Sequence, residues 1–166
     1  MRMRHYFGLL SLLAVTFFAA CNKNDKPAQP FDPAKQAETD EQLIREYIAK
    51  NNITGTVKDA TSALHYKVLA PGIGGDTMKL NDRMNVSYKG TLLNGTVFDE
   101  GDKTRLSEAR LDQLIEGWKI GLRKITKEGK IQLFVPSALG YKNSATGKIP
   151  ANSVLIFEVT LHNYYY

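Results

Sequence analysis

With a single cysteine among 166 residues, the chain can form no intramolecular disulfide, and its fold must rest on its own core. Histidine is scarce too. Beyond His5 only His65 and His162 occur, far apart and with no second cysteine near them, so a zinc-type ligand set is missing. Both are read as strand surface residues. No nucleophile, metal or cofactor motif stands out. Arginine-rich runs and basic stripes with interleaved aromatics are absent as well, which argues against nucleic acid as a partner. The formal charge of +5 includes Arg2 and Arg4, and about +3 remains without them. Apolar residues make up 43% and charged residues 23%, enough of the former for a packed core.

One long apolar run is present. It extends from Phe7 to Ala20 behind Arg2, Arg4 and His5, and ends in Ala19-Ala20-Cys21. That run is short for a membrane span and fits a cleaved export signal. Its junction resembles a bacterial lipobox, which makes Cys21 the expected lipidation site and first mature residue. Phe18 is unusual at its position there, and the alternative is a plain secretory signal. The expected divisions are a lipoprotein-type signal peptide at 1–20, a flexible tether at 21–33, a helical extension at 34–53 and a domain at 54–166. The expected location is the bacterial cell envelope, lipid-anchored, on the periplasmic or surface side of the outer membrane. The tether carries three prolines, Pro27, Pro30 and Pro33, among polar residues.

Thr39 with Gln42 fits a capping box, and Leu43, Ile44, Tyr47 and Ile48 form an apolar stripe closed by Asn51-Asn52. This N-terminal helix either covers part of the core or serves as a dimerisation arm. Strand signals follow. Leu64, Tyr66, Val68 and Ala70 alternate, as do Met84, Val86 and Tyr88, then Ile131, Leu133 and Val135, and finally Leu155, Phe157, Val159 and Leu161. Asn94-Gly95 predicts a type I′ hairpin turn. The hairpin then delivers Phe98 beside Asp99. Leu111, Leu114, Ile115, Trp118, Leu122 and Ile125 repeat at helical spacing, but Gly117 and Gly121 weaken the pattern by about 1 kcal/mol each. One short helix is therefore predicted, in an α+β architecture.

The ordered set Tyr88-x-Gly90, Asn94-Gly95, Phe98-Asp99, Leu114-Ile115-Glu116-Gly117-Trp118, Val135-Pro136, Leu139-Gly140-Tyr141, Ile149-Pro150 and Val154–Val159 resembles the FKBP-type peptidyl-prolyl cis–trans isomerases. The resemblance spans about residues 62–163. It implies a twisted antiparallel β-sheet wrapped around a short α-helix, here with the added N-terminal helix. It also implies rotamase activity on proline-containing polypeptides, assisting the folding of exported proteins without a cofactor. By the resemblance Tyr88, Asp99, Trp118 and Tyr141 are the catalytic set. Phe98, Leu114, Ile115, Ile149 and Phe157 bind substrate, with the Ile115 amide and the Tyr141 hydroxyl as donors. A macrolide such as rapamycin is a ligand the family allows.

Taken singly, these residues also read as core or turn positions. The sequence departs from the family around Thr104–Ser107, where a wall aromatic is missing and Leu106 is the candidate replacement. It departs again at Lys142, where the family commonly has glycine, and in the polar loop Asn143–Lys148. The competing function is a lipid-anchored chaperone or binding module that uses the same pocket with little catalysis.

Overall fold

The computed structural model describes residues 30–102, 105–106 and 109–166. Cys21, the apolar N-terminal run and residues 21–29 of the predicted tether lie outside them, as do Thr104 and Ser107. No helix among the described residues is long and apolar enough to cross a membrane. The unit Asp32–Tyr166 carries six strands: β1 (Val57–Lys58), β2 (His65–Ala70), β3 (Arg83–Leu92), β4 (Val97–Gly101), β5 (Gly129–Val135) and β6 (Leu155–Tyr165). They form one antiparallel sheet in the order β1-β2-β5-β6-β3-β4. Helix α1 (Pro33–Lys50) precedes the sheet, and the short α2 (Glu116–Gly121) lies between β4 and β5.

Strand alternation divides the side chains between two cores. Ile131, Leu133 and Val135 of β5, with Leu155, Phe157, Val159 and Leu161 of β6, face the main core together with Met84, Val86, Trp118 and Leu122. Phe134, Val154 and Ile156 point to the other face, where α1 covers them with Ile44, Tyr47 and Ile48. Tyr47 and Phe134 place their ring centroids 6.2 Å apart. Complete burial of Ile44 contributes roughly 2 kcal/mol. Ile44, Tyr47 and Ile48 of the α1 stripe thus pack on their own domain, while Leu43, the fourth stripe residue, stays exposed.

Four details differ from the sequence reading. Helix α1 begins six residues before Thr39, because Asp32 caps the amides of Ala34 and Lys35 and Pro33 occupies the first helical position. Thr39 instead donates its hydroxyl to the Lys35 carbonyl inside the helix. The β3–β4 turn is not type I′. Only Gly95 is left-handed (φ 85°), and the Leu92 carbonyl accepts the Gly95 amide, so the loop spans Leu93-Asn94-Gly95. His65 is not on the surface but 7% exposed beneath α1, its Nε2 lying 3.0 Å from Glu41 Oε2. The second histidine, His162, is half-buried, with Nε2 2.6 Å from the Ser87 hydroxyl.

The glycines that weaken α2 have a packing reason. A Cβ on Gly117 would lie 2.6 Å from Val135 Cγ1, and one on Gly121 would lie 2.5 Å from Leu133 Cδ2. Their absence lets α2 press its backbone on β5 and fixes the depth of Trp118.

Candidate active site

Tyr88 faces inward from β3 by strand alternation. On β4, Phe98 and Asp99 are neighbours, and a regular strand would send them to opposite faces. The register shifts here: Gly90 pairs with Asp99 while Thr91 pairs with Val97, leaving Phe98 as an extra residue. This bulge re-aims the chain so that both side chains reach one cavity. A Cβ at Gly90 would lie 2.6 Å from the Phe98 ring and 3.0 Å from that of Phe157, so glycine there makes the space the two rings fill.

The cavity measures about 400 Å³. Trp118 lies at its floor, 3% exposed. Its ring meets Tyr88 edge-on at 5.3 Å between centroids and Phe157 at 5.4 Å, and Phe157 meets Phe98 at 5.4 Å. Such T-shaped contacts contribute about 0.5–1.5 kcal/mol each beyond burial and lock the ring orientations. Leu114 and Ile115 line the cavity from the segment entering α2, and Ile149 and Tyr141 line it from the β5–β6 connection. All nine pocket residues named from the sequence therefore surround one cavity. Leu106 lines it too, in the region where the wall aromatic is missing, and Gln113, Thr146, Gly147 and Lys148 complete the rim.

One cluster of polar groups at the cavity is paired. The Tyr88 hydroxyl donates to Asp99 Oδ2 at 2.8 Å, and Arg105 Nη1 approaches Asp99 Oδ1 at 2.8 Å. Arg105 and the rim residue Gln113 are residues sequence reasoning did not assign to the site; a lone polar side chain carries no local signal of its partner. Burial, and then the hydrogen bond to Asp99, push the Tyr88 phenol up to about 12. It stays protonated and committed to Asp99. The Tyr141 hydroxyl and the Ile115 amide have no acceptor among the described residues, and Ile115 sits at the N-cap of α2. Trp118 Nε1 is also buried without a partner. Among the described residues no group of three or more His, Cys, Asp or Glu side chains could hold a metal ion.

Lys142 has φ 58°. A left-handed backbone costs a residue with a Cβ roughly 1–2 kcal/mol, which is the physical meaning of glycine at this place in the family. The surrounding loop bonds hold lysine there instead.

Comparison with known proteins points one way. "Probable FKBP-type peptidyl-prolyl cis-trans isomerase" of Haemophilus influenzae is 42% identical over 128 residues, covering 76% of this chain and 52% of that protein. FkpA of Escherichia coli K12, an FKBP-type peptidyl-prolyl cis-trans isomerase, is 38% identical over 128 residues, covering 76% of this chain and 47% of its own length. The chain spans about half the length of these curated relatives. The crystal structure of FkpA from Escherichia coli matches with a TM-score of 0.65 at 37% identity, over 79% of this chain and 62% of that one. A peptidyl-prolyl cis-trans isomerase from Pseudomonas syringae pv. tomato matches with a TM-score of 0.64 at 28% identity, over 82% of this chain and 98% of that one. The family profile described as FKBP-type peptidyl-prolyl cis-trans isomerase matches residues 74–162. That span takes in every residue lining the cavity, and the chain belongs to the FKBP-type peptidyl-prolyl cis-trans isomerase family.

Proposed function

We propose that this chain catalyses cis–trans isomerisation of Xaa-Pro bonds in exported polypeptides, working from a lipid anchor at Cys21. The observation that carries the catalytic reading is the ring-lined cavity with Trp118 at its floor and two uncommitted donors at its edge.

An Xaa-Pro amide is planar through resonance, and twisting an amide costs about 18–20 kcal/mol. The twisted state has lost that resonance, so its carbonyl is less polar than the planar one. A cavity walled by Tyr88, Phe98, Trp118 and Phe157 offers the planar amide less solvation than water does, and penalises the twisted amide less. That difference in binding lowers the barrier. No bond is broken and no proton is transferred. The donors of Ile115 and Tyr141 hold the neighbouring carbonyls of the peptide and fix its turn. Asp99 spends both oxygens on Tyr88 and Arg105, so its part is to hold the Tyr88 ring upright and to place one compensated charge beside the amide.

An export signal at 1–20, a tether at 21–33, a helical extension at 34–53 built on α1 (Pro33–Lys50) and an isomerase domain at 54–166 give this reading its cellular setting. Folding limited by proline takes tens of seconds unaided, and an anchored catalyst meets chains as they emerge beyond the cytoplasm.

The test is cis-to-trans conversion of a short Xaa-Pro peptide with the full-length protein. Acceleration is expected, and Trp118→Ala and Tyr141→Phe should reduce it. Peptide binding without acceleration would turn the assignment to a binding module. Palmitate labelling in cells, with Cys21→Ser as control, tests the anchor; equal labelling of both forms removes it.

A further inference from the structure

Asp40 plays no part in the chemistry above, yet it is completely buried. It sits on α1 and reaches the connection after β5. Its Oδ2 accepts the Ser137 amide at 2.7 Å and the Ser137 hydroxyl at 2.6 Å, and its Oδ1 accepts Gln36 Nε2 at 2.8 Å. Ser137 is 2% exposed and opens the 3₁₀ turn Ser137–Leu139. The Ser137 carbonyl in turn accepts the amides of Gly140 at 3.0 Å and Lys142 at 2.9 Å, the two residues that flank Tyr141. The Lys142 carbonyl accepts the Asn152 amide at 2.8 Å, which ties in the segment after Ile149.

We propose that Asp40 is a positioning residue for Tyr141, acting through Ser137, so that the N-terminal helix is part of the machinery that places a substrate donor. The inference rests on the isomerase reading. Tyr141 is 37% exposed and stands on a loop with a left-handed lysine beside it. Little apolar burial holds that loop: Ala138 is exposed and Leu139 only half-buried. Its conformation depends on hydrogen bonds that converge on Ser137. Asp40 supplies the outer side of that clamp from a helix seated by Ile44 and Tyr47. Remove the carboxyl, and two donors of Ser137 are left buried without acceptors, so the turn must open toward water.

The experiment compares Asp40→Ala and Asp40→Asn in the full-length chain, each with Tyr141 and with Tyr141→Phe. Asp40→Ala is expected to lower kcat/KM on a short Xaa-Pro peptide about tenfold, since a misplaced group within 1 Å suffices for such losses. Asp40→Asn should recover most of it, because its amide oxygen can face Ser137 while Gln36 turns its own amide. In the Tyr141→Phe background Asp40→Ala should add no further loss. Asp40→Ala as active as the parent, or a full second tenfold loss on top of Tyr141→Phe, overturns the proposal. Amide hydrogen exchange gives an answer independent of activity. Gly140 and Lys142 should exchange faster in Asp40→Ala while β5–β6 amides stay protected; unchanged protection at both refutes the clamp. An inactive parent would defeat the isomerase reading alone and leave the exchange result to decide this one.

Discussion

Replacing Gly117 with alanine sets two physical effects against each other, and their sizes predict the sign. In a free helix the change stabilises by about 1 kcal/mol. Here the new Cβ would lie 2.6 Å from Val135 Cγ1 and 2.9 Å from Cγ2. Carbon atoms rest about 3.5–4.0 Å apart, so α2 must retreat by roughly 1 Å. Val135 cannot yield instead, because it is completely buried and stiff about χ1. Overpacking of this kind costs about 1–3 kcal/mol, which exceeds the propensity gain. Gly117→Ala should therefore lose about 1 kcal/mol in urea unfolding followed by Trp118 fluorescence. The retreat also lifts Trp118 from the cavity floor, so peptide isomerisation should fall about tenfold. Val135→Ala makes room for the new methyl group, and the double variant should be less destabilised than the sum of the singles by at least about 1 kcal/mol. A stabilised Gly117→Ala, or strict additivity with Val135→Ala, would refute the contact as the reason for glycine.

Two further outcomes follow from the polar groups. Glu41 is held down from 4.5 to about 2: burial opposes its ionisation, but hydrogen bonds from His65, Arg45 and Lys58 outweigh it. A depressed carboxyl stabilises the fold above pH 4.5 and loses that contribution as pH falls through about 2, so Glu41→Gln should cost at most roughly 3 kcal/mol at pH 6, with the gap to the parent closing between those limits; a gap constant down to pH 2 counts against the ion pairs as its source. Tyr88→Phe keeps the ring contact with Trp118 and loses the bond to Asp99, at about 1.5 kcal/mol, the low end for a charged acceptor that Arg105 still compensates. Since the phenol is raised from 10 to about 12, its contribution is complete below pH 10 and disappears as pH rises through 12, so parent and variant should converge in unfolding free energy over that alkaline window.

The core faces were readable because burial on one side imposes a period of two. Met84, Val86 and Tyr88 alternate in the sequence and are buried in the structure. The cavity was readable only through the family resemblance. Its walls come from β3, β4, the entry to α2, the β5–β6 loop and β6, and no local pattern links segments that distant. Features set by contacts across the chain were missed for the same reason. His65 is polar on an alternating strand, which reads as surface, until α1 folds over it and brings Glu41. The turn at Asn94-Gly95 admits two geometries, and the register of β4 selects the longer loop. The helix start at Pro33 was hidden by a proline that suited a tether equally well.

Local rules are broken mostly where the site is built. Gly117 and Gly121 spoil a helix so that α2 can touch β5. Phe98 spoils a ladder so that it and Asp99 can share a cavity. Lys142 takes a glycine's backbone next to Tyr141, and a buried acid on α1 holds the turn that makes this tolerable. The helix glycines cost roughly 0.5–1 kcal/mol each and the left-handed lysine roughly 1–2 kcal/mol, and each departure is offset by packing or hydrogen bonds from a distant element. Such offsets make the site's geometry a property of the whole unit Asp32–Tyr166 rather than of its own residues. That is why changes at Asp40 and Val135, neither of which lines the cavity, are the sharper tests: they perturb the support while leaving the identity of every wall residue unchanged.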